Sequence, residues 1–186
     1  WGYMNLCNPH QPGCDFSELR FYLYAKLLED PNMTEEQYQT HINEFLAAYY
    51  GPGWENLRAY FDWTIEAADN NGKCYSFYST PETIFGRNVF GPMDDQFQEW
   101  FNAALEAAET EEQKTRIRRI QISADYLAIS DIFSEQYKSE DPAVKQAIID
   151  RTAKFLADLR ELNLEWVMES RKLQPEYSER TKPRNF

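Results

Sequence analysis

Apolar residues recur along most of the chain at intervals of three and four, the spacing that places them on one face of an α-helix. The pattern predicts an all-α domain of about six helices between residues 15 and 170. Its first three helices carry the clearest stripes, which are Leu19, Tyr22, Leu23 and Leu27; Tyr38, Ile42, Phe45, Leu46 and Tyr49; and Leu57, Tyr60, Phe61, Ile65 and Ala68.

Start and stop signals bound these predicted helices. Three pairs have the spacing of a reciprocal capping box, in which a short polar residue and a Glu or Gln three positions later cap the first turn. They are Asp15 with Glu18, Thr34 with Gln37, and Thr110 with Gln113. Gly51 followed by Pro52 predicts the end of the second helix, and Asp141 followed by Pro142 predicts the start of the sixth.

The fifth predicted helix differs from the others because it is apolar on two sides. One side holds Ile117, Ile120, Ala124 and Leu127, and the other holds Ile122, Tyr126, Ile129 and Phe133. A helix that is apolar on two sides is buried on two sides. We therefore expect this helix to be central in a bundle whose neighbouring helices, joined by short connections, pack antiparallel.

Four segments break the helical period. Residues 1–14 contain Pro, Gly and Asn and predict an irregular lead-in, and residues 73–92 predict an ordered loop rich in aromatic residues. A further turn is expected around Leu164, Trp166 and Val167. The charged residues 171–186 predict an extended tail.

Charge and composition narrow the function classes. The 186 residues carry a formal net charge of −12, which repels phosphate backbones and anionic lipid headgroups. We therefore expect no nucleic-acid and no membrane partner. The chain opens with Trp1, and we interpret it as a processed form or a piece of a longer protein.

The sequence shows no signature of catalysis, of a metal site or of a cofactor, so none is predicted. Adjacent carboxylates at Glu35-Glu36, Asp94-Asp95 and Glu111-Glu112 suit first turns, where they meet the positive end of the helix dipole. His41 is expected to serve packing or the surface. Cys7 and Cys14 either pair or remain free thiols. The basic run Arg116, Arg118 and Arg119 is expected to pair with nearby carboxylates such as Glu111, Glu112 and Asp125.

The aromatic loop is the best candidate for ligand contact. Its flat rings and polar donors, a mixture that suits carbohydrate, belong to Tyr75, Phe77, Tyr78, Phe85, Arg87, Asn88 and Phe90. The alternative is that the loop packs its rings onto the helices to form a small core of its own. The packing alternative is the one we favour.

Two runs, DFSELRFYLYAKLLEDPNM and INEFLAAYYGPGWENLRAYFDW, together with the later TRIRRIQISADYLAI, resemble a bacterial family of uncharacterised glycoside-hydrolase-like proteins. The resemblance covers about residues 1–135. It implies a (β/α)8 barrel like that of α-glucuronidases and β-hexosaminidases, followed by a helical segment that packs against it, in a secreted or periplasmic protein. Two departures are Glu29, where the family often has Trp, and the absence of a barrel, which alone takes about 250 residues.

The resemblance therefore identifies this chain as the C-terminal helical part, with the catalytic carboxylates upstream. Residues 1–14 would be the last barrel loop, which makes Trp1, Asn5 and His10 expected sugar contacts. The aromatic loop adds Tyr75, Tyr78, Arg87 and Asn88 to the expected set. We expect an architectural role without hydrolysis by this chain alone. The alternative is a free-standing helical module that binds oligosaccharide or protein. An exposed apolar face on the first helix would favour the barrel-associated domain.

Overall fold

The computed structural model describes residues 16–74, 79, 81–86, 88–136, 139–164, 166–168 and 171–172. These residues form the predicted all-α bundle, in which each long helix packs against at least one other long helix. The helices are α1 (Ser17–Glu29), α2 (Glu35–Tyr50), α3 (Trp54–Asn71), α4 (Pro81–Phe85), α5 (Asp94–Ala107), α6 (Glu111–Gln136) and α7 (Pro142–Glu161). A 3-10 helix, Gly91–Met93, leads into α5.

Local chemistry sets most of the helix ends. Thr34 and Gln37 form the predicted capping box at the start of α2, and the Thr110 hydroxyl and the Gln113 amide form the one before α6. The Asp141 carboxylate accepts a hydrogen bond from the Ala143 backbone N–H at the start of α7. These three predicted starts are confirmed.

Three local predictions differ from the structure. Helix α1 begins at Ser17 rather than at residue 15, with Phe16 in the left-handed conformation at its cap position and no side-chain cap; Asp15 lies outside the described residues. The loop 73–92 contains the short α4. The turn predicted around Leu164 is instead followed by a hairpin of β1 (Trp166–Met168) and β2 (Arg171–Lys172), because pairing of two short strands satisfies this backbone.

Interlocking aromatic rings fill the main core. The Tyr60 ring on α3 packs against Phe97 and Phe101 on α5, with centroid distances of 5.3 and 5.1 Å. Phe16, just before α1, meets Tyr50 edge-on at 6.1 Å and Phe61 at 5.1 Å. Aromatic pairs of this kind contribute stability beyond the area they bury. They tie α1, α2, α3 and α5 into one cluster.

Helix α6 has the two buried faces that its sequence predicts. Ile117, Ile120 and Ala124 belong to the main core. Ile122, on the other face, belongs to a second cluster with Leu159, Leu162 and Leu164. On the same face Tyr126 is partly exposed and its ring lies 6.3 Å from that of Phe155 on α7, while the Phe133 side chain lies outside the described residues. The position of α6 between two clusters confirms its central place.

Candidate functional site

Most of the predicted sugar contacts lie outside the described residues. These are Trp1, Asn5, His10, Tyr75, Tyr78 and Arg87. Asn88 is described: it is exposed and holds a left-handed backbone conformation with φ of 57°. The predicted sugar-binding set therefore stays a prediction.

Two aromatic rings of the loop pack inward. Phe90 is buried, and its ring meets Trp63 on α3 at 5.2 Å and Phe85 at 4.8 Å, both in edge-to-face geometry. Both rings belong to or pack against the main core. For Phe85 and Phe90 the structure supports the packing interpretation, because Phe90 is buried in the main core and Phe85 packs against that core.

A polar cluster joins α5, α6 and α7 at the side of the bundle. The Arg151 guanidinium on α7 donates to both carboxylate oxygens of Asp94 on α5, with Nη2 2.6 Å from Oδ1. The same Nη2 lies 3.4 Å from Asp125 Oδ1 on α6. Each aspartate is only 8% exposed. Asp94 thus has a tertiary partner, and the first-turn explanation offered for it from the sequence is incomplete.

Two glutamines extend this cluster. Gln98 Nε2 donates to Asp125 Oδ1 at 2.7 Å, and Gln121 Nε2 donates to Gln98 Oε1 at 3.0 Å. Burial raises the pKa of Asp125 above its ordinary value of 3.8, while the Gln98 hydrogen bond and the Arg151 charge oppose that rise. Burial outweighs them because desolvation disfavours the charged carboxylate.

The geometry of the cluster indicates a structural role, which is to link α5, α6 and α7. Glycoside hydrolysis needs two carboxyl groups on either side of the scissile bond, with free space between them. Here Arg151 occupies the position between Asp94 and Asp125 and bonds to both. The two aspartates lie 31 positions apart in the sequence, on α5 and α6. Their carboxylate oxygens bind Arg151 and so attach α7 to both of these helices.

Replacing each aspartate of the pair by asparagine is expected to have opposite consequences. Asp125→Asn keeps an acceptor for Gln98 and removes a buried charge. Because the folded pKa of Asp125 is raised, its contribution to stability is present below the unfolded pKa and is lost as pH rises through the folded pKa. The variant should therefore gain stability relative to the parent chain as pH rises from about 4 to about 7.

Asp94→Asn removes the two-oxygen acceptor of Arg151 and should lower the free energy of unfolding by about 1–3 kcal/mol at neutral pH. Urea unfolding of both variants and the parent chain at several pH values makes the comparison. Equal losses from the two substitutions at neutral pH would contradict this assignment of roles.

The basic run of α6 pairs partly as predicted. Arg116 bonds to Glu112 one turn earlier and donates to the Tyr49 carbonyl at 2.8 Å, with its guanidinium 3.9 Å above the Tyr49 ring. Arg118 instead reaches α7, where it donates to both oxygens of Glu161 at 2.7 and 2.9 Å. The predicted pairing of this run with Asp125 is wrong, because Arg151 and Gln98 bind that carboxylate.

His41 has the packing role that its sequence position predicts. Its Nδ1 lies 3.1 Å from the Tyr22 hydroxyl on α1, and the two rings meet edge-on at 5.8 Å. The contact joins α1 to α2. No three side chains of His, Cys, Asp or Glu are grouped for metal binding within the described ranges.

Helix α1 has an outer apolar face, which we define as Phe21, Tyr24 and Leu28. These side chains are 42%, 39% and 70% exposed. Phe21, Tyr24 and Leu28 follow one another at helical spacing, nearly opposite the buried Leu19 and Leu23. Helix α1 is therefore apolar on two sides but covered by its own bundle on one.

The stripe predicted for α1 from its sequence is the inner one only. Leu27, assigned to that stripe, is 40% exposed, and Ile65, assigned to the inner stripe of α3, is 47% exposed. Both assignments are wrong because each residue lies at the edge of a stripe, where helical spacing alone cannot distinguish core from surface. The repeat of Phe21, Tyr24 and Leu28 was the available signal.

No protein-family model, curated protein or solved structure matched the chain in these comparisons. In the part of the chain that the structure describes, none of the helices combines the length and the apolarity needed to cross a bilayer. The fold and surface of the described residues define an acidic all-α bundle with an outward apolar face on α1.

Proposed function

We propose that this chain is the C-terminal, architectural helical domain of a carbohydrate-active glycoside-hydrolase-like protein. In this proposal it packs, through the outer face of α1, on a catalytic (β/α)8 barrel encoded upstream in the same polypeptide. The barrel carries the acid and the nucleophile or base. The helical domain covers one side of it.

The exposed apolar stripe on α1 is the observation that supports the proposal. Large apolar side chains on a single helix face cost free energy in water, about 25 cal/mol for each Å² that a partner would otherwise cover. Contiguous apolar surface of this kind marks a contact with another protein surface. Leu28, at 70% exposure, is the clearest member.

The position of α1 also suits a contact with upstream sequence. It is the first helix of the chain, and its helix neighbour in the bundle is α2. Its other side is consequently open to a structure formed by preceding residues. The resemblance adds the expectation that this structure is a barrel, since in that family a (β/α)8 barrel precedes the helical segment.

Side-chain footprinting of the chain and of the longer gene product tests the contact. Hydroxyl radicals oxidise exposed Phe, Tyr and Leu side chains, so Phe21, Tyr24 and Leu28 should react in the 186-residue chain and be protected in the longer product. Ile65 and Ile149, 47% and 43% exposed on α3 and α7, are matched controls that should react equally in both. Equal oxidation of the outer face in both forms would refute the contact.

An assay on aryl glycosides of uronic acids and amino sugars tests whether hydrolysis requires the upstream barrel. We expect turnover by the longer product and none by the 186-residue chain. Hydrolysis by the chain alone would show that it is an enzyme in its own right. Tight oligosaccharide binding by the chain, with an unprotected outer face in the longer product, would identify a free-standing binding module instead.

A further inference from the structure

Helix α7 has fewer fully buried side chains than the other long helices of the described chain. Its one fully buried apolar residue is Leu159, which joins Ile122 of α6 in the second cluster. Phe155 and Leu156 of α7 are partly buried against that cluster. That cluster is separate from the main core, which draws its buried residues from α1, α2, α3, α5 and α6. Loss of α7 contacts would therefore leave the main core intact.

Arginine–carboxylate pairs supply much of the remaining contact. Arg151 on α7 binds Asp94 on α5, and Arg118 on α6 binds Glu161 on α7. Arg118 also lies 3.5 Å from Asp158. The Arg118 and Glu161 side chains are 30% and 64% exposed, so salt in the solvent reaches this pair and screens it.

We infer that α7 is an arm that opens from α5 and α6 as a unit while α1 to α6 stay folded, and that ionic strength controls the opening. Free energies of local opening are lowest where buried apolar contacts are few. Opening uncovers the second apolar face of α6, which includes Ile122 and Ile129. Burial of that apolar face favours the closed state of α7, and the ion pairs determine how strongly the closed state is favoured over the open one. The inference is independent of the proposed function.

Hydrogen exchange on the 186-residue chain measures this opening helix by helix. At low salt, amides of α7 should exchange faster than those of α2, α3 and α5, because they open without global unfolding. Raising the salt to about 1 M, where the screening length falls to about 3 Å, should accelerate α7 about tenfold and leave the other three helices unchanged. Exchange of α7 at the rate of α2 and α3, at both salt concentrations, would overturn the inference.

Matched arginine variants distinguish local opening of α7 from a general loss of stability. Arg118→Met and Arg151→Met retain an apolar stem but lose the charge, so each should accelerate α7 exchange at low salt. Arg118→Met should also reduce the response of α7 to added salt, because the Arg118–Glu161 pair is the one that solvent reaches. Arg58→Met is the control, since Arg58 joins α3 to α2 through Asp62, Asn43 and Gln39. In the Arg58→Met variant, the ratio of the α7 exchange rate to the α2 exchange rate should stay the same or fall. Equal acceleration of every helix by Arg118→Met and Arg151→Met would refute the arm.

Limited proteolysis supplies a second measurement. Cleavage within α7 at high salt should leave a folded product that retains α1 to α6, visible as retained helical circular dichroism after α7 is removed. Loss of all helical signal at the same rate as the first cleavage would also overturn the inference, because it would show one cooperative unit.

Discussion

Replacing Gly53 by alanine is expected to lower the free energy of unfolding by about 3 kcal/mol, at the upper end of the range for overpacked sites. A Cβ at this position would lie 2.6 Å from the Ala104 Cα and 2.7 Å from its carbonyl oxygen. Both atoms are backbone on α5, so no rotation of a side chain relieves the overlap. Helices α3 and α5 would have to move apart, opening the aromatic core between them.

Gly72→Ala is the matched control for this substitution. Gly72 ends α3 with φ of 60° and has open space where a Cβ would go, so alanine there meets only backbone strain of about 1–2 kcal/mol. Urea unfolding of both variants compares overlap with strain. Adding Ala104→Gly to Gly53→Ala should not restore stability, because the conflict is with main-chain atoms. Restoration, or equal losses at Gly53 and Gly72, would contradict the overlap.

The turn around Gly53 shows what the sequence could and could not predict. Gly51 before Pro52 predicted the end of α2, and that end is confirmed, because the signal is local. Gly51 adopts φ of 81°, and a Cβ there would lie 2.6 Å from Nε2 of Gln113. Gln113 forms the capping box before α6, so the turn fits between α5 and α6. Nothing in the local sequence specifies that fit.

Helix starts and the central helix were predictable for the same reason. Capping by Thr34, Thr110 and Asp141 depends on backbone groups within three residues, and the two faces of α6 follow from helical spacing. The Arg151 cluster was not predictable, since Asp94 and Arg151 are separated by 57 positions and nothing near either residue specifies the partner. The hairpin at β1 and β2 was missed because three apolar residues fit a strand as well as a helical turn.

The candidate docking surface was only half predictable. An outward apolar face on the first helix is expected of the barrel-associated domain, but the sequence alone does not identify which residues form that face. Phe21, Tyr24 and Leu28 share a stripe, yet a stripe alone does not say which of two apolar sides a bundle covers. Burial of Leu19 and Leu23 against α2 decides this.

The same leucine-to-alanine change on the two sides of α1 is expected to have very different effects. Leu19 has no exposed surface, so Leu19→Ala should lower the free energy of unfolding by about 2–5 kcal/mol, through lost burial and the cavity it leaves. Leu28 is 70% exposed, so Leu28→Ala should change the free energy of unfolding of the 186-residue chain by less than about 0.5 kcal/mol. Urea unfolding measures both.

Comparing these two substitutions in the 186-residue chain and in the longer product tests the proposed contact. If upstream residues cover the outer face, Leu28 becomes a buried residue in the longer product, and Leu28→Ala should then cost about 2 kcal/mol or more in the transition that reports on the helical domain. Leu19→Ala should cost a similar amount in both lengths, because its burial against α2 does not depend on upstream sequence. An effect of Leu28→Ala that stays near zero in the longer product would contradict the proposed contact, because Leu28 would then remain exposed in the presence of the upstream residues.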